Sequence, residues 1–361
     1  MQNEATLPMS PALNPVLPRW MGRLRRALMQ LVPLLSLLGL GWLVPLFRLL
    51  SGQDPRSQIK ALWLGLLIPL MAIGLFLGAW SLLAPQVKTS LGEIPGPTMV
   101  GQQFVILYEE HRAEQDRRAA FSARQEKLAQ ERIAQGLTAS RRPYTGSATF
   151  LDQIVTSLKT VFAGFLLGGL LAIPLGVLCG LSPTINAALN PLIQLFKPVS
   201  PLAWLPLVTM VVSAAYVSEQ PLFEKSFLTS AITVTLCSLW PTLINTAVGV
   251  ASIDRDLMNV VRVLRLSWGT KVRRLVIPSA LPYMFTGLRL SLGVGWMVLI
   301  AAEMLAQNPG LGKFVWDEFQ NGSSQSLARI MAAVLTIGAI GFLLDRVMQA
   351  LQTLFTHSAV R

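Results

Sequence analysis

Residues 259–282, NVVRVLRLSWGTKVRRLVIPSALP, form a basic, half-apolar stretch between two long apolar segments. Its cationic residues, with one just upstream, are Arg255, Arg262, Arg265, Lys271, Arg273 and Arg274. Charges and unpaired backbone are costly in hydrocarbon, so such a stretch lies outside the bilayer. Its cationic excess over Asp254 and Asp256 indicates the cytoplasmic side. The stretch therefore fixes the direction in which the neighbouring apolar helices run.

The first half of this stretch predicts a short amphipathic helix. Over residues 254–267, Val260, Val261 and Leu264 share one helical face, while the arginines project elsewhere. One interpretation is a helix that lies on anionic lipid headgroups. The other is a helix that docks in a groove of a soluble partner protein.

The composition of the whole chain is that of an integral membrane protein. Of its 361 residues, 52% are hydrophobic and only 13% are charged, whereas about a quarter of a soluble domain is charged. The net charge of +12 is explained by cytoplasmic loops and lipid headgroups, so we expect membrane lipids and no nucleic acid as partners. Cys179 and Cys237 lie in apolar runs without a CxxC spacing, which predicts core residues and no metal site.

Apolar runs of about 20 residues, the length that crosses the hydrocarbon as a helix, recur along the chain. The clear ones cover approximately residues 61–83, 153–181, 187–216, 222–250, 280–306 and 326–352. A further run, residues 27–47, contains Pro33 and Pro45 and has arginines on both flanks. It either spans the membrane or lies as an interfacial or re-entrant helix, so the chain has one or two N-terminal hydrophobic helices.

A polar block follows the early span. Residues 109–142 are rich in Arg, Lys, Glu, Gln and Ala, which predicts a soluble helix or a partly ordered loop outside the bilayer. The preceding LGEIPGP, residues 91–97, has two prolines around a glycine and predicts a turn.

The spacing of the basic stretch resembles the cytoplasmic loop E-A-A-x3-G-x9-I-x-L-P of binding-protein-dependent ABC importer permeases. Asn259, Val260 and Val261 fall on E-A-A, Arg265 falls on the glycine, and residues 275–278 (LVIP) fall on I-x-L-P. The sequence departs from the pattern where asparagine replaces glutamate, valine replaces alanine, and arginine replaces glycine.

Other segments extend the resemblance over residues 85–356. Residues 165–183, 190–212 and 285–305 resemble the nitrate, sulfonate, taurine and bicarbonate branch of these permeases. Within that branch, NVVRVLRLS, AAEML, VWDEF and LLDRVMQ are most similar to nitrate permeases. The resemblance implies an all-α integral membrane protein with the type I ABC importer transmembrane fold, built on a five-helix core.

The resemblance also implies an organisation and a set of partners in a bacterial inner membrane. The expected parts are a cytoplasmic tail (1–26), N-terminal membrane segments (27–83), a periplasmic loop with a charged helix (84–150), and a permease core (151–356) with a coupling helix at 254–275. The expected partners are a second permease copy, two ATPase subunits that bind ATP and Mg²⁺, and a periplasmic solute-binding protein. The chain itself is expected to hold no cofactor and no metal.

The coupling contact with the ATPase is assigned by this resemblance to a small set of residues. They are Asn259, Val260, Val261, Arg262, Leu264, Arg265, Ser267 and Pro278. No phosphate-binding loop is expected in the chain itself. In NPGLGKF, residues 308–314, Gln307 and Phe314 occupy positions that a P-loop gives to Gly and to Ser or Thr, so we predict a re-entrant periplasmic turn.

An anion path needs fixed positive potential, and the candidates are Lys197 and Arg289. Lys197 lies before Pro198 and Pro201, where a broken helix would point the N–H groups near Leu202 at an anion. The alternative is a lysine at the cytoplasmic interface. Arg289 has no carboxylate three or four residues away, so it is expected to face an anion, a backbone carbonyl or headgroups.

Arg289, Trp296 and Glu303 recur every seven residues and share one helical face. That face is either the translocation path or the seam between two permease copies. Glu303 is unusual for an anion path, and it is expected to anchor a loop or to pair with a cation of the binding protein.

These features predict the permease subunit of an ATP-driven importer for nitrate or nitrite. Bicarbonate, cyanate and sulfonates such as taurine are alternative substrates, and a secondary anion transporter or channel is the alternative class. An intramembrane enzyme is disfavoured because both histidines, His111 and His357, fall outside the predicted spans.

Overall fold

A computed structural model describes residues 44–50, 55–89, 92–135, 138, 142–217, 222–323 and 325–359. The predicted tail at 1–26 and most of the apolar run at 27–47 lie outside these residues. The chain divides into two compact units, residues 1–73 and 74–361, which are described separately.

The first unit begins with two short helices, α1 (Val44–Leu50) and α2 (Pro55–Leu62). A π-helical turn at Trp63–Leu67 then leads into α3 (Ile68–Leu83), which continues past the boundary between the units. Together they make the 31-residue candidate span Arg56–Gln86, so the predicted early span is confirmed. None of its most apolar window is buried inside the protein.

The loop after this span contains a small hairpin and a long helix. Strands β1 (Lys88–Thr89) and β2 (Gly92–Glu93) pair antiparallel, and α4 (Pro97–Ala134) begins one residue after Gly96. Proline suits the start of a helix because its missing N–H has no helical partner there. Residues 109–134 of the charged block thus form the second part of a 38-residue helix, about 57 Å long at 1.5 Å per residue.

The remaining helices form the membrane core. They are α5 (Phe150–Leu181), α6 (Pro183–Phe196), α7 (Pro201–Ala215), α8 (Lys225–Ala251), α9 (Arg255–Val263), α10 (Trp268–Lys271), α11 (Ile277–Ala306), α12 (Leu311–Asn321) and α13 (Ser326–Ala359). Helices α5, α8 and α13 are candidate spans, and α10 and α11 join through a π-helical turn, Val272–Val276, into the span Trp268–Ala306. This last span starts earlier than the predicted 280–306 because the π-helical turn continues the helix.

The span predicted at 187–216 is broken. Helices α6 and α7 bend by 102° at residues 197–200, immediately before Pro201. A proline lacks the N–H needed to continue the helical ladder, and it disfavours the helical region for the residue before it. The predicted break near Pro198 and Pro201 is therefore confirmed, and it separates an amphipathic α6 from a more uniformly apolar α7.

Small residues on α5 allow α8 to approach closely. Gly164, Gly168, Ala172, Gly176 and Gly180 recur at every fourth position and form one ridge. A Cβ built on the first of these would lie 2.7 Å from the backbone oxygen of Ala231, and the same clash occurs with Leu243 further along. Close backbone approach of this kind is a general way of packing helices in lipid, where no hydrophobic effect drives helices together.

Helix α8 lies between α5 and α11 and contacts both through hydroxyl groups. The Thr235 hydroxyl donates to the backbone oxygen of Gly164 at 3.0 Å. On the other side, the hydroxyls of Thr242 and Ser291 lie 2.7 Å apart. These hydrogen bonds satisfy buried polar groups and fix α5, α8 and α11 as the centre of the core.

Candidate coupling surface and anion path

Helix α9 presents an uncovered apolar face. The Asp254 side chain accepts a hydrogen bond from the Asp256 backbone at 2.9 Å and caps the helix. Beyond this cap, Val260 is 53% exposed, Val263 is 81% exposed and Leu264 is 62% exposed. Leu257 is also about half exposed. An apolar face of this size, on a polar segment between spans, is suited to contact with another protein.

The prediction that Val261 belongs to this face is wrong. Val261 is only 9% exposed and points into the permease, so it is not available to a partner. Neighbouring residues of a helix point about 100° apart, and Val260 and Val261 cannot both be central to one narrow face. The exposed set is Leu257, Val260, Val263 and Leu264, so two of the three residues predicted for this face, Val260 and Leu264, are exposed.

The turn after α9 explains the glycine of the family pattern. Arg265 has φ of 48°, a left-handed conformation that glycine adopts freely and that costs other residues about 1–2 kcal/mol. The backbone N–H of Arg265 donates to the oxygen of Arg262, and that of Leu266 donates to the oxygen of Val261. The replacement of glycine by arginine therefore keeps the turn at the cost of some strain.

The other predicted coupling residues have diverse surroundings. The Asn259 side-chain oxygen accepts from Arg262 at 3.3 Å, and both residues are exposed beside the apolar face. The Ser267 hydroxyl caps α10 by accepting from the Thr270 N–H. Pro278 is half-buried in the first turn of α11. It supports the helix start and does not belong to the exposed face.

Arg289 has a counterion, contrary to expectation. Its Nε donates to Asp345 Oδ1 at 2.5 Å and its Nη2 donates to Oδ2 at 2.8 Å. Asp345 lies on α13, 56 residues away in sequence, so the search at three and four residues along the same helix missed it. The pair borders an open groove of about 580 Å³, but its two charges cancel there.

Trp296 and Glu303, which share a helical face with Arg289, are buried inside the protein. The indole N–H of Trp296 donates to the backbone oxygen of Ile337 at 3.0 Å, and the ring lies against Gly341. Trp296 is 6% exposed and Glu303 is fully buried. Neither of the two alternatives for this face, a translocation path or a dimer seam, therefore describes Trp296 or Glu303.

Glu303 anchors the loop that follows α11. Its carboxylate accepts from the Ser157 hydroxyl, at 2.8 Å and 2.9 Å to its two oxygens, and from the Gly312 N–H at 3.0 Å. A Cβ on Gly310 would overlap this carboxylate. The predicted loop-anchoring role is confirmed. The alternative role, pairing with a cation of the binding protein, is wrong because the side chain has no exposed surface.

Two further contacts complete this loop. The Leu311 N–H donates to the Ser157 hydroxyl at 2.8 Å, and the Asn308 side chain donates to the Thr160 hydroxyl at 3.1 Å. The turn predicted in residues 308–314 is present at 308–310, and the rest of that segment begins α12. The loop therefore fixes α12 to α5.

Lys197 is exposed at the end of α6 and borders a cavity of about 260 Å³. Within the described part of the chain it makes no ion pair. The helix start near Leu202 is not free for an anion, because the Leu202 N–H donates to the Ser200 hydroxyl and the next two N–H groups donate to the Ser200 backbone oxygen. Of the two anion-binding features predicted around Pro198 and Pro201, the Lys197 side chain could contact an anion, whereas the N–H groups at the helix start could not.

A network outside the spans was not visible in the sequence. Arg118 of α4 donates to Asp152 at 2.6 Å, and this hydrogen bond raises the pKa of Arg118 above its usual value. The Tyr144 hydroxyl donates to Glu114 at 2.7 Å, which raises the pKa of Tyr144. The partners lie about 30 residues apart in sequence, so only the fold brings them together.

Residues 172–357, half of the chain, match the family of binding-protein-dependent transport system inner membrane components. The bicarbonate transport system permease protein CmpB of Synechococcus elongatus is 39% identical over 201 residues, which cover 55% of this chain and 67% of that protein. The nitrate import permease protein NrtB of Leptolyngbya laminosa is 37% identical over 205 residues, 56% and 68% of the two chains. The chain belongs to this family and is a multi-pass inner-membrane permease subunit of an ABC importer, from the branch that contains nitrate and bicarbonate permeases.

Proposed function

We propose that this permease imports a small inorganic anion, with nitrate or nitrite as the first candidate and bicarbonate as the second. The relatives named for bicarbonate and for nitrate are similarly close, at 39% and 37% identity. The motifs NVVRVLRLS, AAEML, VWDEF and LLDRVMQ favour nitrate. Cyanate and small sulfonates are weaker candidates.

The observation that carries ATP-driven transport is the exposed apolar face of α9. A secondary carrier or a channel has no need for apolar side chains projecting from a cytoplasmic helix, whereas an ATPase subunit with a complementary groove would cover them. Arg255, Arg262 and Arg265 surround this face and suit an acidic rim on the partner. Helix α9 also coincides with the cytoplasmic loop of the family pattern, which supports an ATPase subunit as the partner.

The proposed assembly contains two copies of this permease, two ATPase subunits and a periplasmic solute-binding protein. ATP and Mg²⁺ bind to the ATPases, and closure of the ATPase pair moves the two α9 helices. That movement shifts the permease between an inward-facing and an outward-facing state. The chain transmits motion and conducts the anion, and its own residues perform no covalent chemistry.

The orientation follows from the cationic excess of residues 255–274, which favours the cytoplasm. With the bent pair α6 and α7 counted as one span, three spans (α5, α6 with α7, and α8) separate α4 from α9, which puts α4 in the periplasm. A cysteine at Ala119, which is exposed on α4, should react with a membrane-impermeant maleimide in intact spheroplasts. Labelling only after lysis would reverse this orientation and remove α9 from the cytoplasm.

The function is tested by reconstituting the permease with its ATPase and its binding protein in vesicles. We expect ATP-dependent uptake of labelled nitrate that excess nitrite reduces and excess taurine does not. Stronger competition by bicarbonate than by nitrite would assign the second substrate. Uptake that proceeds without ATP or without the ATPase subunit would contradict the importer mechanism and favour a carrier or channel.

A further inference from the structure

The cavity bordered by Lys197 has one polar wall and one apolar wall. The polar wall is a single face of α6, because its residues are spaced by four, four and three positions. These residues are Asn186, Asn190, Gln194 and Lys197. The opposite wall comes from Cys179 and Gly180 of α5 and from residues 243–251 of α8. We call this space the α6 cavity.

The α6 cavity lies close to the cytoplasmic segment. Ala251, one of its lining residues, is the last residue of α8 and stands three positions before Asp254. Ile193, on the same helix as the polar wall, packs in an apolar cluster with Leu239 and Leu243. That cluster holds α6 against α8, so the polar wall has a fixed place near the end of the core.

The lining of the α6 cavity has a net positive charge. Lys197 is the one ionisable cation among the lining residues, and no carboxylate is present among them. The groove beside Arg289 is different, because Asp345 lines it as well and cancels the guanidinium charge. Of the two predicted cation sites, only the one at Lys197 therefore presents an uncompensated charge to an open space.

The carboxamides extend this positive site along α6. Within the described residues, the side chains of Asn186, Asn190 and Gln194 make no hydrogen bond to the protein. Each carboxamide offers two N–H donors, and the lysine offers three. A planar anion such as nitrate has three oxygens and one delocalised charge, so donors spread along a wall can replace part of its hydration shell. A cavity of about 260 Å³ is large enough for a small anion and a few waters.

We propose that the α6 cavity is the last anion-binding station of the import path, with Lys197 supplying the attraction and the three carboxamides supplying weak hydrogen bonds. This inference rests on the proposed function as an anion importer. Binding by one lysine and neutral amides is weaker than binding by paired arginines, and weak binding suits a station from which the ion leaves into the cytoplasm. The apolar wall formed by α8 adds no competing acceptor to the site.

The first test removes the charge of Lys197. Lys197→Gln should lower ATP-driven nitrate uptake about tenfold, because the potential that draws the anion to the exit is lost. Lys197→Arg keeps the charge and should retain most of the uptake. The matched control is Lys159→Gln, which removes one charge from α5 at a position 20 residues before Cys179, about 30 Å away along the helix. The control should transport like the unaltered chain.

The second test changes the charge of the cavity in the assembled transporter. Asn186→Cys is treated either with a methanethiosulfonate that adds a sulfonate or with one that adds a trimethylammonium group, and the chain without this cysteine controls for Cys179 and Cys237. The anionic reagent should inhibit nitrate uptake several-fold more than the cationic reagent of similar size. Because modification follows assembly, this comparison holds even if Lys197→Gln fails to assemble.

The outcomes separate this inference from the function on which it rests. An unaltered complex that does not transport any of the candidate anions would overturn the proposed function. A complex that transports nitrate, while Lys197→Gln assembles and transports equally well, would overturn the α6 cavity as a binding station. Equal inhibition by the two reagents at Asn186→Cys would overturn it as well, because a steric block does not depend on the sign of the charge.

Discussion

The two ends of the α11 region differ in whether their side chains have partners within the protein. At the Glu303 end, the carboxylate, the Ser157 hydroxyl, the Asn308 amide and the Gly312 N–H all find partners within the protein. At the α9 end, large apolar side chains remain uncovered. The first end is complete in the free chain, and under the proposed function an ATPase subunit covers the second.

This difference separates residues that hold the fold from residues that serve a partner. A buried polar group without a partner costs about 1–3 kcal/mol, so changes at the Glu303 end should destabilise the permease itself. Changes on the exposed face of α9 should leave the free permease intact and affect its assembly with the ATPase.

The largest effect is expected for Gly312→Ala. A Cβ at Gly312 would overlap the backbone oxygen of Ile300 and lie 3.0 Å from the Cβ of Glu303. Because the obstacle is backbone, it cannot rotate away, and we expect a loss of about 3 kcal/mol of stability with poor recovery of folded permease. The measurement is the thermal midpoint of the purified chain together with its yield on size exclusion.

The matched control is Gly293→Ala on α11, the helix that precedes the loop to α12, where a Cβ meets nothing within 4 Å. Its thermal midpoint should equal or slightly exceed that of the unaltered chain, because alanine favours helix over glycine. If Gly312→Ala were as stable as Gly293→Ala, the Glu303 end would not be the rigid, complete structure described above.

The next effect is expected on the exposed face of α9. Leu264→Asp should leave the thermal midpoint of the free permease unchanged, because the side chain is 62% exposed. In the complex it would force a carboxylate into an apolar groove, which costs several kcal/mol. We expect weakened copurification of the ATPase and a decrease in nitrate uptake of about tenfold or more.

Val261→Asp provides the contrast one helical turn away. Val261 is buried in the permease, so this substitution should lower the thermal midpoint of the free chain, which Leu264→Asp does not. If Leu264→Asp bound the ATPase normally and Val261→Asp did not destabilise the chain, the assignment of the two faces of α9 would be reversed.

Sequence reasoning identified the parts of the fold that depend on local patterns. The apolar runs predicted the spans, and two prolines predicted the break after Lys197. The amphipathic helix predicted over 254–267 is present but ends at Val263, because Arg265 turns the chain out of the helix. Each of these features depends on residues close together in the chain.

Sequence reasoning failed where interacting residues are far apart in the chain, or where a shift of one residue decides which helical face a side chain occupies. Asp345 neutralises Arg289 from 56 residues away, and Ser157 reaches Glu303 from 146 residues away. The error at Val261 is one residue, but on a helix one residue turns a side chain by about 100°. The polar wall of α6 was overlooked because the sequence of α6 has the pattern of an ordinary amphipathic helix. Only the fold shows that α8 lies opposite its carboxamides.

A moderate effect is expected at the pair of Arg289 and Asp345. Arg289→Gln leaves an unpaired carboxylate and should reduce stability by about 1–2 kcal/mol, because both side chains are roughly a third exposed and partly screened. Asp345→Asn should have a similar effect, while the double variant should recover much of the loss. The measurement is a double-mutant cycle on thermal midpoints, with nitrate uptake recorded for every variant that assembles.

This cycle also compares the two cation sites. If Arg289 only holds α11 to α13, uptake by the double variant should approach that of the unaltered chain. A double variant that is stable but transports no nitrate would mean that the guanidinium acts on the anion in spite of its counterion. The division of roles between Arg289 and Lys197 would then be wrong.

The smallest effect is expected in the network of α4, at the hydrogen bond between Tyr144 and Glu114. Tyr144→Phe keeps the ring, which packs edge-on against Phe121 at 5.2 Å, and removes only the hydroxyl that donates to Glu114 at 2.7 Å. Because this neutral donor lies in a hydrogen bond that is only partly buried, uptake should not change and the thermal midpoint should fall only slightly. The difference should also depend on pH in a defined direction. The hydrogen bond to Glu114 raises the pKa of Tyr144 above its ordinary value of 10.0, so its stabilisation is fully present below pH 10 and is lost as the pH rises through the higher, folded value. Thermal midpoints of both chains at neutral pH and at pH values above 10 test this, and a difference that grows with pH would show that the hydroxyl does not stabilise the fold through Glu114.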